Sequence, residues 1–170
     1  QLNLENIIDT LIEASCIPEE KDMRDAETRR NALEALMEIC EKLQNVENTL
    51  TKELYQKIFN CMIDALGDYS VDNRGDVGSW VRETAIICSG KLALLLSRKD
   101  EQDSSSDDKW FTEKNGIDLV CGLLKQCVEK IDKLKQLAGS VLAYLLYAND
   151  SDLMKRCKAD IALRSKQKIS

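Results

Sequence analysis

A chain of 170 residues with a net charge of −6, 44% hydrophobic side chains and only 5% aromatic ones is long enough for one sizeable core or for about three stacked helical pairs. It has no histidine, which removes imidazole acid–base chemistry and imidazole metal ligation, and its acidic balance opposes a sequence-independent grip on nucleic-acid phosphates. One Pro and seven Gly among abundant Leu, Ala, Glu and Lys favour helix over sheet, so an all-α class is expected. Of seven cysteines, none in a Cys-x-x-Cys pair, most fall on apolar helical faces and are expected to be buried free thiols of a reducing, intracellular compartment rather than zinc ligands or a disulfide framework. No run approaches the roughly 18 apolar residues of a membrane helix, and no cleavable signal segment opens the chain, so no membrane insertion is expected. The chain begins at Gln1 rather than Met and is expected to be a domain excised from a longer protein.

In chain order, Leu4, Ile7, Ile8, Leu11 and Ile12 share one face of a first helix that Pro18 ends. Asp22, Asp25 and Glu27 crowd the positive start of a second helix, which runs to about Gln44 with Ala32, Leu36, Ile39 and Leu43 as its core seam. Thr51 caps a third helix with Leu54, Ile58, Met62, Ala65 and Leu66 inward, and Gly67 closes it. A polar elbow follows, in which Asn73, Gly75 and Gly78 predict a turn. Asp76 is expected to cap a fourth helix carrying Val77, Val81, Ala85, Cys88, Leu92 and Leu95 on one side and Trp80, Ile87 and Leu94 on a second, so that it is sandwiched. On one helix Asp76 and Arg82 would lie roughly 240° apart, so each is expected to find its partner on an adjacent repeat. Residues 99–109 form an acidic, Ser-rich surface loop, where Ser104, Ser105 or Ser106 ahead of Asp107 and Asp108 is a candidate phosphorylation site for an acid-directed kinase. Asn115 is expected to cap a fifth helix reaching about Lys130, with Leu119, Val120, Leu123, Leu124, Cys127 and Val128 inward. A sixth helix carries Leu134, Leu137, Ala138, Val141, Leu142, Leu145 and Leu146, and a weaker terminal helix is expected over about 150–165.

The second helices of the three pairs repeat a pattern at an interval of 53 residues: Thr28-Arg29-x-x-Ala32, Val81-Arg82-x-x-Ala85 and Leu134-Lys135-x-x-Ala138. Asp76-x4-Val81-Arg82-x2-Ala85 matches the second-helix pattern of HEAT repeats. Ala32, Ala85 and Ala138 would let helices approach closely, while Arg29, Arg82 and Lys135 would serve neighbouring repeats. The expectation is therefore a HEAT/armadillo-like α-solenoid, a single 1–170 domain with pairs at about 3–44, 51–98 and 113–148; the alternative is an ordinary helical bundle. A stack of this kind presents an extended surface, so the expected activity is binding. No catalytic, cofactor-binding or metal-binding residue stands out: there is no Gly-rich phosphate loop and no Ser or Cys beside a base, and the carboxylates fall on solvated helix faces. Arg74-Gly75-Asp76 spells the tripeptide that integrins recognise, a length of match common by chance.

The stretch Asp68-Tyr-Ser-Val-Asp-Asn-Arg-Gly-Asp-Val-Gly-Ser-Trp-Val-Arg-Glu83 closely resembles a segment of the tubulin-folding cofactor D family, also called tubulin-specific chaperone D. Glu129-Lys-Ile-Asp-Lys-Leu-Lys135 is similar to a second run of that family, with Lys133 where Arg is more usual. The resemblance covers residues 55–146. It implies a cytoplasmic, cytoskeleton-associated chaperone, not an enzyme, that holds β-tubulin while the α/β heterodimer is assembled or taken apart, together with other tubulin-folding cofactors and an Arf-like small GTPase. The residues of the shared wording, Asp68, Tyr69, Asp72, Arg74, Asp76 and Trp80, are then candidates for a partner contact; the alternative is an elbow that serves only the fold, with Tyr69 packed on the helix ends, Asp76 capping and Arg82 bridging repeats. A general HEAT-repeat scaffold with no tubulin link is the alternative.

Overall fold

The computed structural model describes residues 3–17, 25–46, 49–102 and 109–147. Six helices carry the fold: α1 (Leu4–Ser15), α2 (Ala26–Leu43), α3 (Lys52–Ala65), α4 (Gly78–Gln102), α5 (Glu113–Cys127) and α6 (Asp132–Leu146). A two-stranded ribbon, β1 (Val71–Asp72) and β2 (Gly75–Asp76), lies between α3 and α4. Successive helices pair as α1/α2, α3/α4 and α5/α6, and the pairs stack, α2 on α4 on α6 in one layer and α1 on α3 on α5 in the other. The fold is all-α and solenoid-like.

Local chemistry sets the helix starts. Side chains of Asn3, Asp25 and Thr51 accept first-turn N–H groups of α1, α2 and α3. The start of α5 is set by Thr112, three residues before the expected cap. Asn115 is instead the reciprocal partner in a capping box, its Oδ1 accepting the Thr112 N–H at 2.9 Å. The fourth helix begins at Gly78 and runs to Gln102, so the first residues of the expected acidic loop are helical. Residues 103–108, with Ser104, Ser105 and Ser106, lie outside the described residues, as do Pro18, Asp22 and the expected terminal helix.

The core threads through both layers. Leu33, Leu36, Ile58, Phe59, Met62, Ile86, Leu92 and Leu96 are fully buried, each contributing about 1.5–3 kcal/mol relative to exposure. α4 is buried nearly all round, against α2, α3, α5 and α6. Ala32, Ala85 and Ala138 are buried on the three stacked second helices, at the same point of each. Cys40, Cys61 and Cys88 are buried free thiols, and burial pushes Cys40 up to about 12, which leaves it inert; Cys127 is half-buried, and Cys16 and Cys121 are exposed. On α5, Leu119 and Leu123 are buried, but Leu124, and Val128 just past the end of the helix, both expected inward, are exposed. No described helix is long and apolar enough to cross a membrane.

Candidate interaction site at the elbow

Residues 66–77 leave α3, fold back on themselves and enter α4. The ribbon pairs Val71 with Asp76 and Asp72 with Gly75, which puts Asn73 and Arg74 at its tip. Gly75 has φ 107°, a conformation that an L side chain adopts only under strain. Gly78 is required for a different reason. Its N–H donates to the Ser70 carbonyl at 2.9 Å, and a Cβ there would sit 2.7 Å from both the Ser70 nitrogen and an Asp68 carboxylate oxygen.

The base of the elbow is a buried polar cluster. Arg29, from α2, places Nε 2.7 Å from Asp68 Oδ2 and donates from Nη2 to Ser70 Oγ at 2.6 Å, with both ion-pair partners almost fully buried. Ser70 returns its N–H to Asp68 Oδ1 at 3.0 Å. Burial alone would raise the Asp68 carboxyl, but the hydrogen bonds from Arg29 and Ser70 outweigh it and hold the group below the usual carboxylate range. Arg82, buried on α4, donates from Nη1 to the Asp68 carbonyl and pairs through Nη2 with Asp76 Oδ2 at 2.9 Å. Its guanidinium lies 4.2 Å from the centre of the Tyr69 ring.

This pairing corrects the expectation that Asp76 and Arg82 must look to adjacent repeats. The 240° argument holds only if both sit on one helix. Asp76 belongs to β2, and α4 begins two residues later, so the ribbon carries the carboxylate back over the helix start. Asp76 does serve the helix start, because its Oδ1 accepts the Ser79 N–H at 3.0 Å. Arg29–Asp68 is the buried ion pair that crosses between neighbouring pairs.

A third element holds the elbow from the far side. Gln126 of α5 donates from Nε2 to the Leu66 carbonyl at 2.9 Å and to the Tyr69 hydroxyl at 3.3 Å, and Lys125 Nζ lies 5.2 Å from the Tyr69 ring centre. The nearby Tyr69 hydroxyl holds the Glu129 carboxyl below its ordinary range. Sequence reasoning did not find Gln126 or Lys125, and it named Glu129 only as the first residue of the second matched run. One signal was present: Gln126 stands seven residues after Leu119 on the apolar face of α5, where an amide needs a buried partner.

The tip faces solvent. Asp72 Oδ1 accepts the Arg74 N–H at 2.7 Å, and Arg74 Nη2 pairs with Asp72 Oδ2 at 2.8 Å, a bond that draws the Asp72 carboxyl downward. Arg74 also reaches Glu27 on α2 at 3.4 Å and lies 5.0 Å from the Trp80 ring centre. Of the residues in the shared wording, Asp68 is buried and Tyr69 is 41% exposed, whereas Asp72 and Arg74 stand at the surface. Arg29, Arg82 and Lys135 occupy matching positions near the starts of α2, α4 and α6, but only the arginines enter the elbow. Lys135 pairs with Asp132 on its own helix at 2.7 Å. Lys133, two residues before it in the second matched run, crosses to Glu83 of α4 at 2.9 Å.

Stacked helix pairs with an exposed polar ribbon on a rigid base define an all-α, solenoid-like class of protein. The family described as Tubulin folding cofactor D C terminal matches residues 117–168. Tubulin-specific chaperone D from Dictyostelium discoideum is 29% identical over 85% of this chain and 11% of its own length. Tubulin-folding cofactor D from Schizosaccharomyces pombe is 30% identical over 76% of this chain and 10% of its own. The chain belongs to the tubulin-folding cofactor D family. It spans about a tenth of the length of these curated relatives. No solved structure matches it.

Proposed function

We propose that this chain is a HEAT/armadillo-like section of a cytoplasmic, cytoskeleton-associated tubulin chaperone. It holds β-tubulin as the α/β heterodimer is assembled or taken apart, with other tubulin-folding cofactors and an Arf-like small GTPase as further partners, and it has no chemistry of its own. Kinship with tubulin-specific chaperone D and tubulin-folding cofactor D carries this reading. Its physical support is the division of labour in the elbow. The base is locked by buried bonds from α2, α4 and α5, while Asp72 and Arg74 are held outward by each other and cost little ordering entropy when a partner binds. An exposed Arg–Asp pair over a tryptophan face suits a polar protein surface better than an apolar cleft.

The test is capture of β-tubulin from cell extract by the immobilised chain and by its Asp72→Ala/Arg74→Ala variant. The chain is expected to retain β-tubulin, and the variant, with an unchanged unfolding midpoint, to lose most of that binding. Failure of the parent chain to hold β-tubulin overturns the tubulin reading. Equal capture by the variant overturns the assignment of the tip.

A further inference from the structure

A groove of ≈ 450 Å³ runs between α1 and α3. The buried Cys61 and Ala65 of α3 and the half-buried Ile12 of α1 give it an apolar floor, which Ile17, 44% exposed, extends along one side. The hydroxyl of Ser15, also in the lining, is already spent, donating to the Ile12 carbonyl at 2.7 Å and lying 2.9 Å from Cys61 Sγ. Both helices end here, α1 at Ser15 and α3 at Ala65, so the negative ends of two helix dipoles meet at the groove. On α2, α4 and α5 a last-turn lysine answers that charge, at Lys42, Lys99 and Lys125, but α1 and α3 have no basic residue in their last turns. Asp64, exposed on the last turn of α3, adds a carboxylate that meets no cation among the described residues. The other lining charges are satisfied: Lys57 is held by Asp9 at 3.2 Å and by Glu5 at 3.6 Å, and buried Asp68 by Arg29 at 2.7 Å.

We propose that this groove receives a basic side chain, lysine or arginine, from a partner protein. Its aliphatic stem lies on Ile12, Cys61 and Ala65, and its charged head meets Asp64 and the two helix ends, the division of labour that long cationic side chains make wherever apolar surface borders water. Asn60, exposed one turn before Asp64, offers its amide oxygen to a further N–H of the head. An apolar floor beneath an unanswered negative charge suits a cation on a stem and opposes an acidic or purely apolar segment. The groove meets the elbow only at Asp68, whose carboxylate is taken up by Arg29 and Ser70, so this contact stands apart from the Asp72–Arg74 tip and does not rest on the tubulin reading.

The test uses the full chain, with Cys16 at the edge of the groove as the reporter. Random short peptides displayed on phage are selected against the immobilised chain, and the enriched peptides are synthesised. Peptides that slow alkylation of Cys16 by N-ethylmaleimide are expected to carry a lysine or arginine beside an aliphatic residue, and to bind more weakly as salt is raised. Asp64→Lys, a change at an exposed position, is expected to weaken their binding about tenfold, while Asp72→Ala/Arg74→Ala leaves it unchanged. Protecting peptides without a basic residue, or basic ones that bind Asp64→Lys as tightly as the parent chain, would overturn the proposal. So would a selection in which no peptide protects Cys16. Protection that rises with the concentration of the chain alone would give the groove to a second copy and overturn it as well.

Discussion

Two neighbouring connections solve the same problem in opposite ways. The elbow joins α3 to α4 through residues 66–77, while α5 reaches α6 through residues 128–131 alone, and Ile131 at the start of α6 makes no side-chain cap. The long connection has enough chain to turn a carboxylate inward, and Arg29 and Arg82 both bury their guanidiniums against it. The short one offers no such group, so Lys135, in the matching helix position, stays at the surface with Asp132. The connection, more than the helix repeat, decides whether the repeated cation is structural. Arginine suits the buried sites because its planar fork serves several acceptors at once, whereas lysine suffices for a single exposed partner.

That contrast is breakable in a definite order, read by urea unfolding. Asp68→Ala strands Arg29 in the interior and is expected to cost about 3–5 kcal/mol. Arg82→Ala releases the Asp68 carbonyl and Asp76, but Asp76 is one-third exposed and can rehydrate, so a loss of about 3 kcal/mol is expected. Gly78→Ala forces a methyl group against the Ser70 nitrogen and is expected to cost about 2 kcal/mol. The pH dependence sharpens the same point. Because the folded state holds Asp68 below its ordinary value of 3.8, its contribution is present above that value and drains away as pH falls through the folded one. Asp68→Asn should therefore flatten the acid limb of the unfolding midpoint against pH. Lys135→Ala is expected to cost under about 0.5 kcal/mol, since its ion pair is open to solvent. A loss at Lys135 equal to that at Arg82 would break the comparison.

The helices were legible because each has an apolar face with the 3.6-residue period; α3 starts where its capping residue predicted, and α2 starts among the acidic residues expected at its positive end. The elbow was legible as a turn from Asn73 and Gly75, but its wiring was not. Asp76 has the composition of a helix cap and does that work, yet one ribbon residue more or less decides whether it can also reach Arg82, and no local pattern encodes that. Gln126 and Tyr69 are 57 residues apart, so their contact belongs to the stacking of pairs rather than to either segment. The exposure of Leu124 and Val128 was hidden for the opposite reason. Apolar spacing shows that a face wants cover, without showing whether the described part of the chain supplies it.

One feature at the far end of α4 bears on how the molecule can be altered. The Asp100 carboxylate accepts the N–H groups of both Trp110 and Phe111, at 2.6 and 3.0 Å, while Tyr55 and Phe59 meet the two rings edge-on at 5.8 Å. The departure and return points of residues 103–108 are thereby stapled together, independently of whatever sequence runs between them. Each doubling of that length costs only about 0.6 kcal/mol in closure entropy. The molecule thus carries a natural insertion port, where a fluorescent reporter or an affinity tag can be spliced in without disturbing the register of the helices on either side.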